Sequence, residues 1–197
     1  MLRTVTFWHS NIIKYCSRPF ANVEEMNEIL IQNWNAMVKQ HDTVFFLGDF
    51  AFKNVEQALA IRRRLNGIIH FIEGNHDYAA HKIRQTFAWF KPVAMVKVGD
   101  QEIFLSHYAH RVWPKSHYKC WMLFAHSHGT LPDDPNALSI DVGVDAVAAR
   151  LAKVERTGAF GTFERKVDPK NYRPMSYEEV KAIMATKTFK PIDHHGD

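Results

Sequence analysis

Short apolar runs recur along the chain, and four of them end in a polar cluster. The runs are Thr43–Leu47, Ile68–Ile72, Ile103–Leu105 and Trp121–Phe124; the clusters just beyond them are Gly48-Asp49, Gly74-Asn75-His76-Asp77, Ser106-His107 and His126-Ser127-His128. Runs of this length, rich in β-branched and aromatic residues, predict strands. Between them the period changes. Asn22 followed by Glu25 has the pattern of a capping box, and Met26, Leu30, Trp34, Met37 and Val38 then recur with helical spacing. A second helix is predicted from near Asn54 to Gly67, with Leu59 inward, Arg62-Arg63-Arg64 outward and a glycine C-cap. Val93–Val98, Gly99-Asp100 and Gln101–Leu105 predict a β-hairpin that carries His107 to a strand end. Alternating strands and helices predict a layered α/β fold, whose ligands bind beyond the carboxyl ends of the strands. The polar clusters are therefore expected to converge, with a fifth, less regular one at Trp8-His9-Ser10-Asn11.

Composition adds bounds. With 197 residues, 46% hydrophobic and 23% charged, residues 1–197 are expected to form one globular domain. Residues 146–170 differ from their surroundings: Val147–Val154 has helical periodicity, Gly158 and Gly161 break it, and six basic residues face three acidic ones. This stretch is expected to be an insertion, with a lid, an oligomer contact and a plain surface excursion all left open. A net charge of +4 favours an anionic partner only weakly. Cys16 and Cys120 form no paired motif and read as reduced thiols rather than a disulfide or zinc site. The start of the chain lacks the apolar core of a signal peptide and no stretch approaches the about 20 apolar residues of a membrane span, so a cytoplasmic protein without membrane association is expected.

Asp49, at the end of a buried strand, offers two carboxylate oxygens that can bridge two cations; the plainer reading is a turn or helix-cap residue. Asn75 offers a neutral carbonyl oxygen. His76 is the better candidate for proton donation to a leaving group, with Asp77 to orient it. His126 and His128, alternate residues in extended backbone, are expected to face the same rim as His107. Asp, Asn and His without thiolate suit a hard or borderline divalent ion: Mn, Fe, Mg or Zn. His41, His70, His81, His110, His117, His194 and His195 lack that context and read as structural or solvated.

In this order the clusters resemble the motifs of the calcineurin-like metallophosphoesterases: Gly-Asp at Gly48-Asp49, Gly-Asn-His-Asp at Gly74–Asp77, a single His at His107, and His-x-His at His126–His128. Small bacterial and phage members are the most similar, through Asn11–Phe20, His107-Tyr108 with Arg111-Val112-Trp113, Asp141-Val142-Gly143-Val144-Asp145 and Asn171–Pro174. The resemblance implies a four-layer αββα sandwich of two mixed β-sheets flanked by helices. It implies that Asp49 bridges two metals, that Asn75, His107 and His126 hold the second and His128 the first, and that His76 is the general acid. His9 and Arg111 are expected beside the substrate. The implied reaction is in-line attack on phosphorus by water activated between the cations.

One motif is missing. Where the family has Asp-x-His ahead of a segment like Phe7–Asn11, this chain has Thr4 and Thr6, or else a short stretch carrying the motif is absent before Trp8. The first cation then keeps only Asp49, His128 and His9, too few for a hard divalent ion. The expectation is one firmly held metal, a doubtful second, and impaired hydrolysis of a phosphomonoester or phosphodiester, including nucleotides or nucleic acid. The other reading is a catalytically silent module that binds a nucleotide, nucleic acid or protein in the same cleft.

Overall fold

A computed structural model of the chain describes residues 2–3, 6–157 and 162–193. Thr4, Gly158, Gly161, His194 and His195 lie outside the described residues. Strands β1 (Leu2–Arg3), β2 (Thr43–Leu47), β3 (Ile68–Ile72) and β4 (Trp89–Lys91) form a parallel sheet in chain order. Strands β5 (Val93–Val98), β6 (Gln101–Ser106), β7 (Trp121–Phe124) and β8 (Ser139–Asp141) form a second sheet, antiparallel between β5 and β6 and parallel thereafter. The helices are α1 (Ser10–Tyr15), α2 (Val23–Met37), α3 (Val55–Arg64), α4 (Tyr78–Lys82), α5 (Val144–Leu151) and α6 (Tyr177–Ala185).

Side-chain alternation along the strands builds the layers. Val44, Phe46, Ile69 and Phe71 face one way, into a core shared with Met26, Leu30 and Trp34 of α2 and Ala58 and Ile61 of α3. Phe45, Leu47 and Ile72 face the other, against Ile103, Leu105, Trp121 and Leu123 of the second sheet and Val180 and Met184 of α6. The chain thus has the expected αββα layering, two sheets packed together and flanked by helices. Register aligns Phe46, Phe71 and Phe90 across three strands, and their rings stack at 5.1 and 4.8 Å.

Local details depart from the predicted ones. Asn22 caps α2 by accepting the Glu25 N–H, but the Glu25 carboxylate accepts from Ala21 N–H, so the box is not reciprocal. Helix α3 ends at Arg64, and Gly67, at φ +95°, serves the turn into β3 against Val38 and Val44 instead of capping the helix. Arg62 is half-buried and donates to the carbonyls of Thr86 and Leu65; Arg63 and Arg64 face outward. In the segment expected to be an insertion, α5 is core, with Val144 and Ala148 in one cluster and Val147 in the other. After α5, β9 (Lys153–Thr157) and β10 (Thr162–Lys166) pair as an antiparallel hairpin. Among the described residues no helix is long and apolar enough to cross a membrane.

A reciprocal capping box does stand at α6, where Ser176 and Glu179 satisfy each other's backbone N–H and Arg173 pairs with the Glu179 carboxylate. Chiefly through the Arg173 hydrogen bond, the Glu179 carboxyl is pushed down from 4.5 to about 2. Its folded pKa lies below the unfolded one, so its contribution is present above pH 4.5 and is lost as pH falls through about 2. After allowance for solvent screening, that contribution is about 1–2 kcal/mol. Urea unfolding should show Glu179→Gln less stable than the parent by this amount at neutral pH, with the gap closing on acidification. A gap independent of pH would remove the ionic account.

Candidate metal centre

Glycine lets two strand-end loops approach closely. Gly48 has φ +86°, and a Cβ there would stand 2.6 Å from both Gly74 N and His107 Nδ1. A Cβ at Gly74 would stand 2.5 Å from Asp49 Oδ1. Asp49, buried at φ +59°, lies on this seam. A left-handed backbone is tolerated best by Gly, Asn and Asp, so the residue type and the turn agree.

His107 is the hub. Its Nδ1–H donates to the Leu47 carbonyl at 2.7 Å, which in the neutral ring leaves Nε2 as an acceptor. That nitrogen faces Asn75 Oδ1 at 3.0 Å, His126 Nδ1 at 3.2 Å and Asp49 Oδ2 at 3.4 Å. Asp49, His107 and His126 ligand atoms all lie within 4.8 Å of one another. Burial opposes charge on both Asp49 and His107, but their mutual attraction outweighs it: the Asp49 carboxyl is held below its ordinary range and His107 above. Either a proton on His107 Nε2 or a cation among these atoms relieves the crowding of lone pairs, and the donor set is of a kind that suits a divalent metal.

The histidine pair is built differently from the expected extended strand. His126 and His128 have φ +36° and +48° in a tight turn closed by Ser127 N–H on the Ala125 carbonyl and Thr130 N–H on the Ser127 carbonyl. The two rings therefore serve different partners. His126 joins the His107 hub, while His128 Nδ1 bonds Asp145 Oδ2 at 2.7 Å.

Asp77 does not orient His76. Its buried carboxylate accepts the backbone N–H groups of Asp49, Phe50 and Gly74 at 2.8, 2.7 and 2.6 Å, locking the two loops together. His76 is exposed, its backbone N–H donates to Asp49 Oδ1, and its ring lies 4.4 Å from that of Phe52. Phe52 in turn packs on His9 at 4.1 Å, and His9 Nδ1 caps α1 by accepting the Ile12 N–H. Arg111 is not brought to the hub. It is exposed and lines a cavity of ≈ 590 Å³ with Trp113, Phe124, Leu131 and Phe189; none of the four converging residues borders that cavity.

At the place of the missing motif, Phe7 is pinned to the Asp49 loop by backbone bonds to Phe50 and Phe52. Thr6 is thereby buried with Oγ1 unpartnered, beside a cavity of ≈ 10 Å³ that His126, His128 and Arg18 also line. Trp8 follows at φ +57°, a conformation suited to glycine. The residues present at this first position, His128 with a share in Asp49, make a much thinner donor set than the hub. Cys16 Sγ comes within 4.8 Å of the His128 and Asp145 ligand atoms, and burial pushes its thiol up to about 11, which disfavours thiolate unless a cation is bound.

Three residues beside the site escaped sequence reasoning: Arg18, Asp145 and Phe52. The first two stand inside the Asn11–Phe20 and Asp141–Asp145 stretches, yet a pair 127 residues apart has no local signature.

No protein-family model matches the chain. An uncharacterized protein of Methanocaldococcus jannaschii is 38% identical over 152 residues, spanning 72% of this chain and 78% of that protein. The chain belongs to that protein's family. Among solved structures, a protein of unknown function from Aquifex aeolicus covers 93% of this chain with 98% of its own at 19% identity and a TM-score of 0.60, a likeness of fold. A novel archaeal phosphodiesterase covers 84% of this chain with 98% of its own at 14% identity and a TM-score of 0.45.

Proposed function

We propose that this family member is a metal-dependent phosphoesterase whose strong metal position is Asp49, Asn75, His107 and His126. The observation that carries the reading is the single nitrogen, His107 Nε2, faced within 3.4 Å by three further donor atoms from three other loops. A divalent cation there supplies Lewis acidity toward a phosphoryl oxygen and lowers the pKa of bound water. Leu47 fixes the His107 tautomer through its carbonyl, and Asp77 holds the Asp49 loop. His76, exposed beside the Phe52 ring, is in this reading the group that gives a proton to a departing oxygen, a role its exposure supports. Mn, Fe, Zn and Mg all match these ligand types, and the substrate class is a phosphomonoester or phosphodiester.

Thr6 favours the second reading, a silent module, because a two-metal mechanism lacks ligands at the first position. The two readings part in one experiment. Metal-free protein is titrated calorimetrically with Mn²⁺ and then assayed on bis(p-nitrophenyl) phosphate with and without chelator. One tight Mn²⁺ per chain and chelator-sensitive turnover are expected. Tight nucleotide binding with no turnover under any of these metals would leave the silent module standing.

A further inference from the structure

Outside the hub, a buried charged pair among the described residues is one the proposed chemistry does not yet use. The Arg18 side chain is wholly buried and Asp145 nearly so. Arg18 Nε donates to Asp145 Oδ1 at 2.8 Å and Nη2 to Oδ2 at 2.7 Å, a bidentate fork. Arg18 Nη1 is also directed, at Met26 Sδ 3.3 Å away. The same Asp145 Oδ2 meets His128 Nδ1 at 2.7 Å.

We infer that Arg18 and Asp145 are positioning residues for His128, fixing its ring with Nδ1 protonated and Nε2 left as the nitrogen able to bind a metal. An ionised carboxylate can only accept, so the His128 nitrogen that touches it must donate. In a neutral imidazole the other nitrogen then carries the lone pair. Arg18 makes the arrangement rigid: with both carboxylate oxygens engaged by one planar fork, Asp145 cannot rotate away from the ring. Orientation of a ligand histidine by a carboxylate behind it is a general device of metal sites, where losing the carboxylate weakens metal binding about 10–100-fold. This inference rests on the phosphoesterase reading only for the metal; the tautomer is independent of it. One functional consequence is that the first position keeps a prepared ligand although the Asp-x-His pair expected there is absent.

The test uses the full chain, ¹⁵N-labelled and metal-free, at one pH where histidine is neutral. Long-range ¹H–¹⁵N spectra distinguish Nδ1–H from Nε2–H. His128, assigned by its loss in His128→Gln, should be in the Nδ1–H form. Asp145→Leu should shift it toward Nε2–H, and Arg18→Lys should give a mixture. If Asp145→Leu does not fold, the unaltered protein and Arg18→Lys still decide. An Nε2–H ring in the unaltered protein, or one indifferent to both substitutions, would overturn the inference. Co²⁺ titration supplies a second readout. In Arg18→Lys and Asp145→Leu the tight Co²⁺ equivalent should hold within about threefold, while Co²⁺ taken up beyond it at high concentration should lose about 10–100-fold in affinity. Equal losses in both would make the pair merely structural. No Co²⁺ binding at all, with the Nδ1–H tautomer intact, would sink the phosphoesterase reading and leave the orientation of His128 standing.

Discussion

Asp49→Asn should lower kcat/KM for phosphodiester hydrolysis by about 10³-fold, some 4 kcal/mol of transition-state stabilisation, and weaken metal binding while leaving the fold intact. The substitution is chosen for its sterics. Asn is nearly the same shape and, like Asp, is at home at φ +59°, so the loop has little reason to move. What changes is the chemistry. Oδ1 accepts the His76 N–H at 2.9 Å and Oδ2 faces His107 Nε2 at 3.4 Å, so both oxygens are in use. An amide must present N–H to one of them, either against another donor or into the metal position. The loss of charge also removes the attraction that holds His107 above its ordinary pKa against burial. Calorimetric Mn²⁺ titration, turnover and thermal unfolding together check this. A well-folded variant with near-parental turnover would remove Asp49 from the centre.

The second large effect is a gain. Thr4→Asp with Thr6→His should raise Mn²⁺ stoichiometry from about one toward two and increase hydrolysis about 10²-fold or more, since a second cation stabilises attacking and leaving oxygens together. Thr6 reaches the wall shared by His126 and His128, which supports the alignment that puts Thr6 in the place of the absent histidine. The cavity there is ≈ 10 Å³, room for about one water and not for an imidazole. Thr6→His alone is therefore expected to destabilise by about 1–3 kcal/mol through overpacking. The opposing variant inserts an Asp-x-His turn before Trp8, and it should help only if residues are missing rather than exchanged. Absence of any gain in metal or turnover from either, with tight nucleotide binding by the parent, would favour the silent module.

The parts of this site that were legible in the sequence are those written locally. Each strand is a short run of contiguous apolar residues and each cluster follows it directly, so Asp49, Asn75, His107 and His126 could be expected at one rim from the sequence alone. The failures have a common physical origin. Backbone at positive φ broke the two-residue alternation assumed for His126 and His128, because a turn forced by Ser127 and Thr130 hydrogen bonds overrides strand geometry. Asp77 looked like a partner for its neighbour in sequence, whereas three backbone N–H groups from two loops supplied stronger claims. Phe52, which sets His76, and Asp145, which meets His128, are long-range partners that no spacing announces.

The two halves of the rim have separate foundations. Asp49 and His107 stand on Asp77 and on the Leu47 carbonyl, and His128 stands on Asp145 and Arg18; the two sets of hydrogen bonds share no residue. Damage behind one half can therefore be discrete. An engineer can alter the support behind one half in one step without passing through a form in which the other has collapsed.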